Sequence, residues 1–189
     1  CIDSLRMKTL VFVAALLVLA ACADTNKTLK SIDNFQEKSF LGHWYEIAAL
    51  PMAGRPEKTY NCPQSVFSKG DNNTILVTEA YKAVKDLKDQ FKTINATLIP
   101  TNSTGQFKLK YLDSQNKELN ATDFWILKMN KDYTRGLLGR SDRDHLSIVS
   151  RNATLDTTEY DKLVQDAKDM GFDTSKLIKF DQACGEFKL

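Results

Sequence analysis

Ser39-Phe40-Leu41-Gly42-His43-Trp44-Tyr45-Glu46-Ile47-Ala48 is the stretch that decides the fold of this chain. Its Gly-x-Trp opens an alternating run that predicts a first β-strand over residues 43–50. If the strands that follow form one closed antiparallel meander, Trp44 and Arg151 arrive at the same end of a barrel. A guanidinium over an indole face contributes about 0.5 to 2 kcal/mol, and Gly42 is required where the backbone passes beneath the barrel. These three residues are the predicted barrel-closing set.

Seven further segments carry the strand pattern, and turn clusters separate them at short intervals. They cover residues 64–69, 74–82, 90–99, 106–112, 122–129, 133–139 and 145–151. The pattern is clearest where Phe107, Leu109 and Tyr111 alternate with lysines, so that one face is apolar. Short connections favour neighbouring antiparallel strands over crossovers. The sequence therefore predicts an all-β fold, an eight-stranded up-and-down barrel.

Beyond Arg151 the apolar period changes from two to that of a helix. The apolar stripe consists of Tyr160, Leu163, Val164 and Ala167. Asp156 and Glu159 form a start that resembles a capping box, and Gly171 predicts a left-handed stop. We expect one C-terminal helix packed outside the barrel, with Trp125 against it, and then an extended piece over residues 176–180.

The first 23 residues are predicted to lie outside the fold. Lys8 precedes the apolar run 10–21, which is too short to span a bilayer, and Ala21-Cys22-Ala23 is typical of a signal-peptide cleavage site. Residues 1–6 lie upstream of the expected initiator Met7. Residues 24–189 are enough for one domain with a sizeable core and too few for two ordinary domains. We therefore expect a single domain.

Leu19-Ala20-Ala21-Cys22 supports a competing interpretation, because it also resembles a bacterial lipobox. In that case Cys22 would be lipidated and become the new N-terminus. Membrane contact is expected only under this alternative.

The charge of the chain bears on its partners, and its cysteines indicate an extracellular protein. Formal net charge is +2, both signs are interspersed and no basic stripe is present, so a nucleic-acid partner is not expected. Removal of the signal leaves Cys62 and Cys184, which would pair in an oxidising compartment. Such a bridge closes a loop of roughly 120 residues and stabilises by about 4 to 5 kcal/mol in the chain-entropy model.

Glycosylation acceptors are unusually frequent. The motif Asn-x-Ser/Thr occurs at six of the eleven asparagines, namely Asn26, Asn72, Asn95, Asn102, Asn120 and Asn152. This excess favours a secreted glycoprotein over the lipidated alternative.

Catalytic and metal signals are weak. The chain has two histidines, His43 and His145, and no cysteine pair at ligand spacing, so neither a metal nor a cofactor is expected. Ser141-Asp142 lies near His145, but the Gly-x-Ser-x-Gly nucleophile elbow is missing, which argues against a hydrolase.

Three short motifs together resemble the signature regions of the lipocalins: Gly42-x-Trp44, Asp132-Tyr133 and Ser150-Arg151. The resemblance covers most of residues 39–184 and is closest to the branch with apolipoprotein D and the bacterial outer-membrane lipocalin. Further matching segments are Trp44 to Ala48, Phe124 to Leu127, Asp142 to Asp144, and Gly171 to Ile178.

The resemblance implies a binding protein rather than an enzyme, secreted and carrying a small hydrophobic molecule such as a fatty acid, sterol, retinoid-like compound or pigment. His145 and Ser147 stand where such relatives usually carry Tyr and Trp, and the second disulfide of the apolipoprotein D pattern has no cysteines here. Less favoured alternatives are a membrane-anchored lipoprotein for lipid maintenance, a lipid-modifying enzyme on the same barrel, and an interaction protein whose cavity is filled.

Alternation and the resemblance together predict the cavity wall. Its expected ligand contacts are Ser65, Phe67, Ile94, Ala96, Leu98, Phe107, Leu109, Tyr111, Phe124, Ile126 and Val149. Each could equally be ordinary barrel core. Glu46 shares the parity of Trp44, but we favour a solvated carboxylate at the edge over one that orients a ligand.

Overall fold

The structure is a computed structural model that describes residues 28–51, 60–83, 90–111 and 120–189. The predicted signal peptide, Cys22 and the acceptor Asn26 lie outside these ranges.

Eight strands form a closed antiparallel barrel, as predicted. They are β1 Gly42–Ala49, β2 Tyr60–Lys69, β3 Ile75–Ala83, β4 Lys92–Pro100, β5 Gln106–Tyr111, β6 Thr122–Met129, β7 Arg135–Gly139 and β8 Leu146–Ser150. Each strand pairs with the next along the chain, and β1 pairs with both β2 and β8, which closes the barrel. The turn between β2 and β3 therefore lies at the same end as the start of β1, and the turn between β7 and β8 lies at the other end.

Three strands begin two or more residues from the predicted start, and one of them, β4, begins at Lys92 instead of residue 90. Strand β7 starts at Arg135, because Tyr133 has a φ of 51° within the preceding turn, and its hydroxyl donates to the carbonyl of Asn34 at 3.2 Å. Strand β2 starts four residues early, at Tyr60, and its register with β3 shifts between Asn61 and Gln64. Alternation alone gives no sign of that irregular start.

A ninth strand, β9 Ile178–Lys179, pairs with the last residues of β1. It falls within the predicted extended piece, but its pairing was not predicted. Strand β2 pairs with β1 only over residues 42–45, so the last residues of β1 have a free edge on that side. Strand β9 pairs with this edge.

Helix α1 Glu37–Phe40 precedes β1, and helix α2 Thr157–Asp169 packs outside the barrel. Asp156 caps it by accepting a hydrogen bond from the Thr158 amide at 2.9 Å. The other half of the predicted capping box does not form as expected, because Glu159 makes an ion pair with Arg135 on the barrel. Gly171, at a φ of 87°, ends the helix as predicted.

Apolar side chains form an outer and an inner cluster. The outer cluster joins the buried face of α2 to the outward side chains of the neighbouring strands, and Trp125 packs against it, as expected. The inner cluster lies within the barrel. Among the residues in the described ranges, no helix is long and apolar enough to cross a membrane.

Candidate functional site

The closed end of the barrel is built on Trp44 and Arg151. The Arg151 guanidinium carbon lies 3.8 Å from the centroid of the indole ring. Trp44 is only 1% exposed, and its ring nitrogen donates to the carbonyl of Phe40 at 2.7 Å. One ring face and the N–H group of the indole are thus engaged, so the buried ring is held in place at this end of the barrel.

Arg151 also binds backbone carbonyl groups at this end of the barrel. Its guanidinium donates to carbonyl oxygens of Ser39, Phe40, Leu41, His43 and Tyr133, at 2.8, 3.1, 2.8, 2.5 and 3.3 Å. Burial lowers the pKa of Arg151 to about 10, which leaves the side chain charged at neutral pH. A cation that binds so many carbonyls fixes the chain before β1 against the end of β8.

A short helix missed in the sequence completes this end. Helix α1 Glu37–Phe40 places the fully buried Phe40 ring 4.6 Å from Phe67 and 5.8 Å from Trp44. Gly42 follows with a φ of 101°, and a Cβ atom there would lie 3.3 Å from a guanidinium nitrogen of Arg151. The residue type predicted at this crossing is therefore the one that the backbone requires.

Above this end the barrel encloses a cavity of about 380 Å³. Seven of the eleven predicted contact residues line it: Ser65, Phe67, Ile94, Leu109, Tyr111, Phe124 and Val149. The other four, Ala96, Leu98, Phe107 and Ile126, are buried in the inner cluster and do not border the cavity. Alternation identifies which side chains face inward, but it does not show which of them border open space once the inner cluster is packed.

The wall of the cavity near the open end of the barrel is polar. Most of its polar residues were not predicted from the sequence. We call this wall the collar, and it consists of Glu46, Glu79, Tyr111, Arg140, His145 and Ser147. Tyr111 donates to Glu79 at 2.8 Å, Ser147 donates to Glu46, and His145 Nε2 lies 3.0 Å from the Ser147 hydroxyl. Glu46 therefore lies in the cavity wall, and the favoured solvated-edge interpretation was wrong.

Asp123 lies beside the collar, where it also lines the cavity. Hydrogen bonds from Lys108, at 2.5 Å, and then from Ser141 lower the pKa of Asp123. The Ser141 hydroxyl is thus directed to Asp123, not to His145. Ser147 lies between Glu46 and His145, whereas a hydrolase triad places histidine between serine and carboxylate.

The C-terminal tail is fastened to the outside of the barrel. Cys62 and Cys184 are joined in a disulfide with 6.2 Å between their Cα atoms. The Gln182 side chain donates to carbonyls of Glu46 and Pro63 at 2.7 and 3.0 Å. These contacts hold β1 and β2 together near the point where their pairing ends.

The five described glycosylation acceptors are all exposed: Asn72, Asn95, Asn102, Asn120 and Asn152. Asn72, Asn102 and Asn152 lie in the turns at the closed end, away from the cavity entrance. Within the ranges that the structure describes, no three His, Cys, Asp or Glu side chains come together as a metal site.

Comparison with known proteins decides the family. A family model described as a lipocalin-like domain matches residues 36–182. The chain belongs to the lipocalin family. Temperature-induced lipocalin-1 of Arabidopsis thaliana is 26% identical over 159 residues, which are 83% of this chain and 84% of the relative. The outer membrane lipoprotein Blc of Citrobacter freundii is 26% identical over 167 residues, or 87% and 90% of the two chains.

Solved structures agree on the lipocalin barrel. Insecticyanin from the tobacco hornworm Manduca sexta superposes with a TM-score of 0.63 at 18% identity, over 81% of this chain and 84% of its own. Lobster apocrustacyanin A1 gives 0.61 at 18% identity, over 78% and 80%. At this identity the likeness establishes the fold alone.

Proposed function

We propose that this lipocalin binds one small, largely apolar molecule in its barrel and carries it through an extracellular compartment. The observation that carries the proposal is the cavity of about 380 Å³ above a sealed floor. A cavity of that size suits a single small guest, and apolar walls bind by removing its surface from water.

The lower wall suits such a guest. Phe67, Val77, Leu109, Phe124 and Val149 line the cavity above the Trp44 ring. Because Trp44 and the guanidinium close the lower end, a guest enters and leaves at the other end. Binding of this kind is reversible and needs no activated nucleophile, so we propose a carrier and not an enzyme.

Secretion is proposed from the sequence, with support from the placement of its modification sites. A disulfide joins Cys62 to Cys184, and every described acceptor asparagine is exposed. Disulfides and Asn-linked glycans are both typical of the secretory pathway.

The test begins with delipidated protein. Titration with a fatty acid, a sterol and a retinoid should quench tryptophan fluorescence saturably for at least one class, because Trp44 borders the cavity. Native mass spectrometry of protein purified from its own source should then identify the bound molecule by its added mass. Absence of binding to all three classes, with no bound molecule in the native spectrum, would contradict the proposal.

A second candidate is a membrane-anchored lipoprotein that maintains membrane lipids. The resemblance of Leu19-Ala20-Ala21-Cys22 to a lipobox favours it, and the relative from Citrobacter freundii supports it, since that protein is named as an outer membrane lipoprotein. Mass spectrometry of the mature N-terminus separates the two candidates: an acylated Cys22 supports anchoring, and an unmodified terminus near Asp24 supports secretion.

A further inference from the structure

Strands β1 and β2 pair over only part of their length, and the unpaired part lies at the open end of the barrel. Their ladder joins residues 42–45 to residues 64–67. Beyond it, residues 46–49 and residues 60–63 form no ladder with each other among the strands that the structure describes. We call the space between these two segments the seam. Three residues that line the cavity lie along it, namely Glu46, Tyr60 and Pro63.

The C-terminal tail, residues 178–187, crosses the seam from β1 to β2. Up to Phe180 it is bonded to β1, through the β9 ladder and through the Phe180 amide, which donates to the carbonyl of Ile47 at 3.0 Å. From Asp181 onward it is bonded to β2, where the Asp181 amide donates to the side-chain oxygen of Asn61 at 3.1 Å. The crossing therefore lies between two consecutive residues.

Beyond the crossing, the tail and the end of β2 form one unit. Cys184 is bonded to Cys62 in the disulfide. The Gln64 side chain donates to the carbonyl of Gly185 and accepts from the amide of Phe187, both at 2.8 Å. Gln64 is only 1% exposed and also borders the cavity. If the seam widens, this part of the tail therefore moves together with β2 and away from β1.

Gln182 is the side chain that reaches back across the seam. Its amide nitrogen donates to the carbonyl of Pro63, within its own unit, at 3.0 Å and to the carbonyl of Glu46, on β1, at 2.7 Å. Gln182 is 7% exposed and does not line the cavity. The rings of Tyr60 and Phe180 also meet across the seam, with centroids 5.3 Å apart. A side-chain hydrogen bond, instead of a backbone ladder, therefore joins the two units next to the cavity.

We propose that the seam widens when a guest enters or leaves, and that Gln182 is the positioning residue that holds it closed. The inference rests on the proposed function and concerns how the guest exchanges. A wall with a continuous ladder widens only when several backbone hydrogen bonds break together, whereas the seam is joined by a side chain. Local opening takes place where few contacts hold a segment, at a free energy below that of global unfolding.

The test compares rates with affinity. Stopped-flow fluorescence follows association of the neutral probe N-phenylnaphthylamine with delipidated protein, and displacement by excess decanoate follows its dissociation. Gln182→Leu should raise both rate constants by about three- to tenfold, the effect of losing one neutral hydrogen bond, and leave the dissociation constant within about twofold. Both rate constants change by the same factor because the variant alters the barrier to exchange and not the bound state.

Two further variants separate the hydrogen bond from packing and from general effects. Gln182→Glu keeps the size of the side chain but has no donor for the Glu46 carbonyl, so it should speed up exchange at least as much as Gln182→Leu. Gln165→Leu makes the same change on the exposed face of α2, where Gln165 donates to Asp169 at 2.8 Å. This control removes a side-chain hydrogen bond away from the seam and should leave both rate constants unchanged.

Two results would overturn the inference while the carrier function stands. One is that Gln182→Leu and Gln165→Leu have the same pair of rate constants. The other is faster dissociation with unchanged association, because Gln182 would then stabilise the bound state instead of the closed seam. If neither the probe nor decanoate binds to the unmodified protein, the proposed function fails and the inference fails with it. An unchanged dissociation constant in Gln182→Leu demonstrates that the variant is folded.

Discussion

Replacing Arg151 by methionine tests the closed end most severely, because methionine keeps the length of the side chain but loses its charge and its donors. The change removes the hydrogen bonds to five carbonyl groups and the contact with the Trp44 ring. Leaving one buried acceptor unpaired costs about 1 to 3 kcal/mol, and a cation over an indole contributes about 0.5 to 2 kcal/mol.

The total loss of stability is smaller than the sum of these contributions. Arg151 is only partly buried, and several of the carbonyl groups bind water when its side chain is lost. We expect the free energy of unfolding to fall by about 3 to 5 kcal/mol. With a urea m-value of about 2 kcal/mol/M, the midpoint shifts by about 1.5 to 2.5 M. The midpoint of Arg151→Lys should lie between those of the unmodified protein and Arg151→Met, because an ammonium group keeps the charge but cannot bind all five carbonyl groups.

The assay is urea denaturation followed by circular dichroism and by tryptophan fluorescence. Arg135→Met is the matched control, because it removes one ion pair with Glu159 on the barrel surface and should cost less than about 1 kcal/mol. If Arg151→Met shifts the midpoint no further than this control, the guanidinium does not hold the closed end, and the reasoning is refuted.

Three other changes have defined outcomes. Gly42→Ala should cost about 1 to 3 kcal/mol in urea denaturation, because alanine is strained at a φ of 101°, and an unchanged midpoint would contradict this. Replacing Cys62 and Cys184 together by serine should cost about 2 to 5 kcal/mol, and reductant should then have no further effect; a variant as stable as the oxidised protein argues against the bridge. Asp123→Asn tests pH dependence: the lowered pKa stabilises the fold above about pH 4, and this contribution is lost as the pH falls through the folded-state pKa. The difference in stability from the unmodified protein should therefore shrink in acid, and a difference that grows in acid would be the wrong sign.

The barrel and its closure were predictable from the sequence because both follow from local rules. Period-two alternation identifies the strands, and an even number of antiparallel strands brings the start of the first beside the end of the last. That topology placed Trp44 next to Arg151 across more than a hundred residues of sequence, and the structure has the two in contact.

The depth of the cavity was not predictable in the same way. Leu98, Phe107 and Leu109 all face inward, yet only Leu109 reaches the open space. Leu98 and Leu109 are register partners, so the difference between them comes from the packing of the inner cluster. That cluster includes Phe40, which enters from a helix too short to leave a periodic signal. Such packing joins side chains from several elements, so the pattern of a single strand does not reveal it.

The collar was missed because charged residues near strand ends are usually solvated. Arg140 follows Leu138 at inward parity, and this is the one signal that could have identified it. The hydroxyl donors that hold Glu46 and Glu79 come from other strands, at positions 147 and 111. Only the closed barrel brings these partners together.

The central claim is that an open cavity above a sealed floor takes up one guest, and filling that cavity tests it most directly. Native mass spectrometry of delipidated protein with decanoate should show one guest per chain. Ser65→Trp, which adds a large ring to the cavity wall, should abolish that mass shift, while Leu76→Trp, on the exposed face of β3, should retain it. Equal binding by the two variants would contradict the claim.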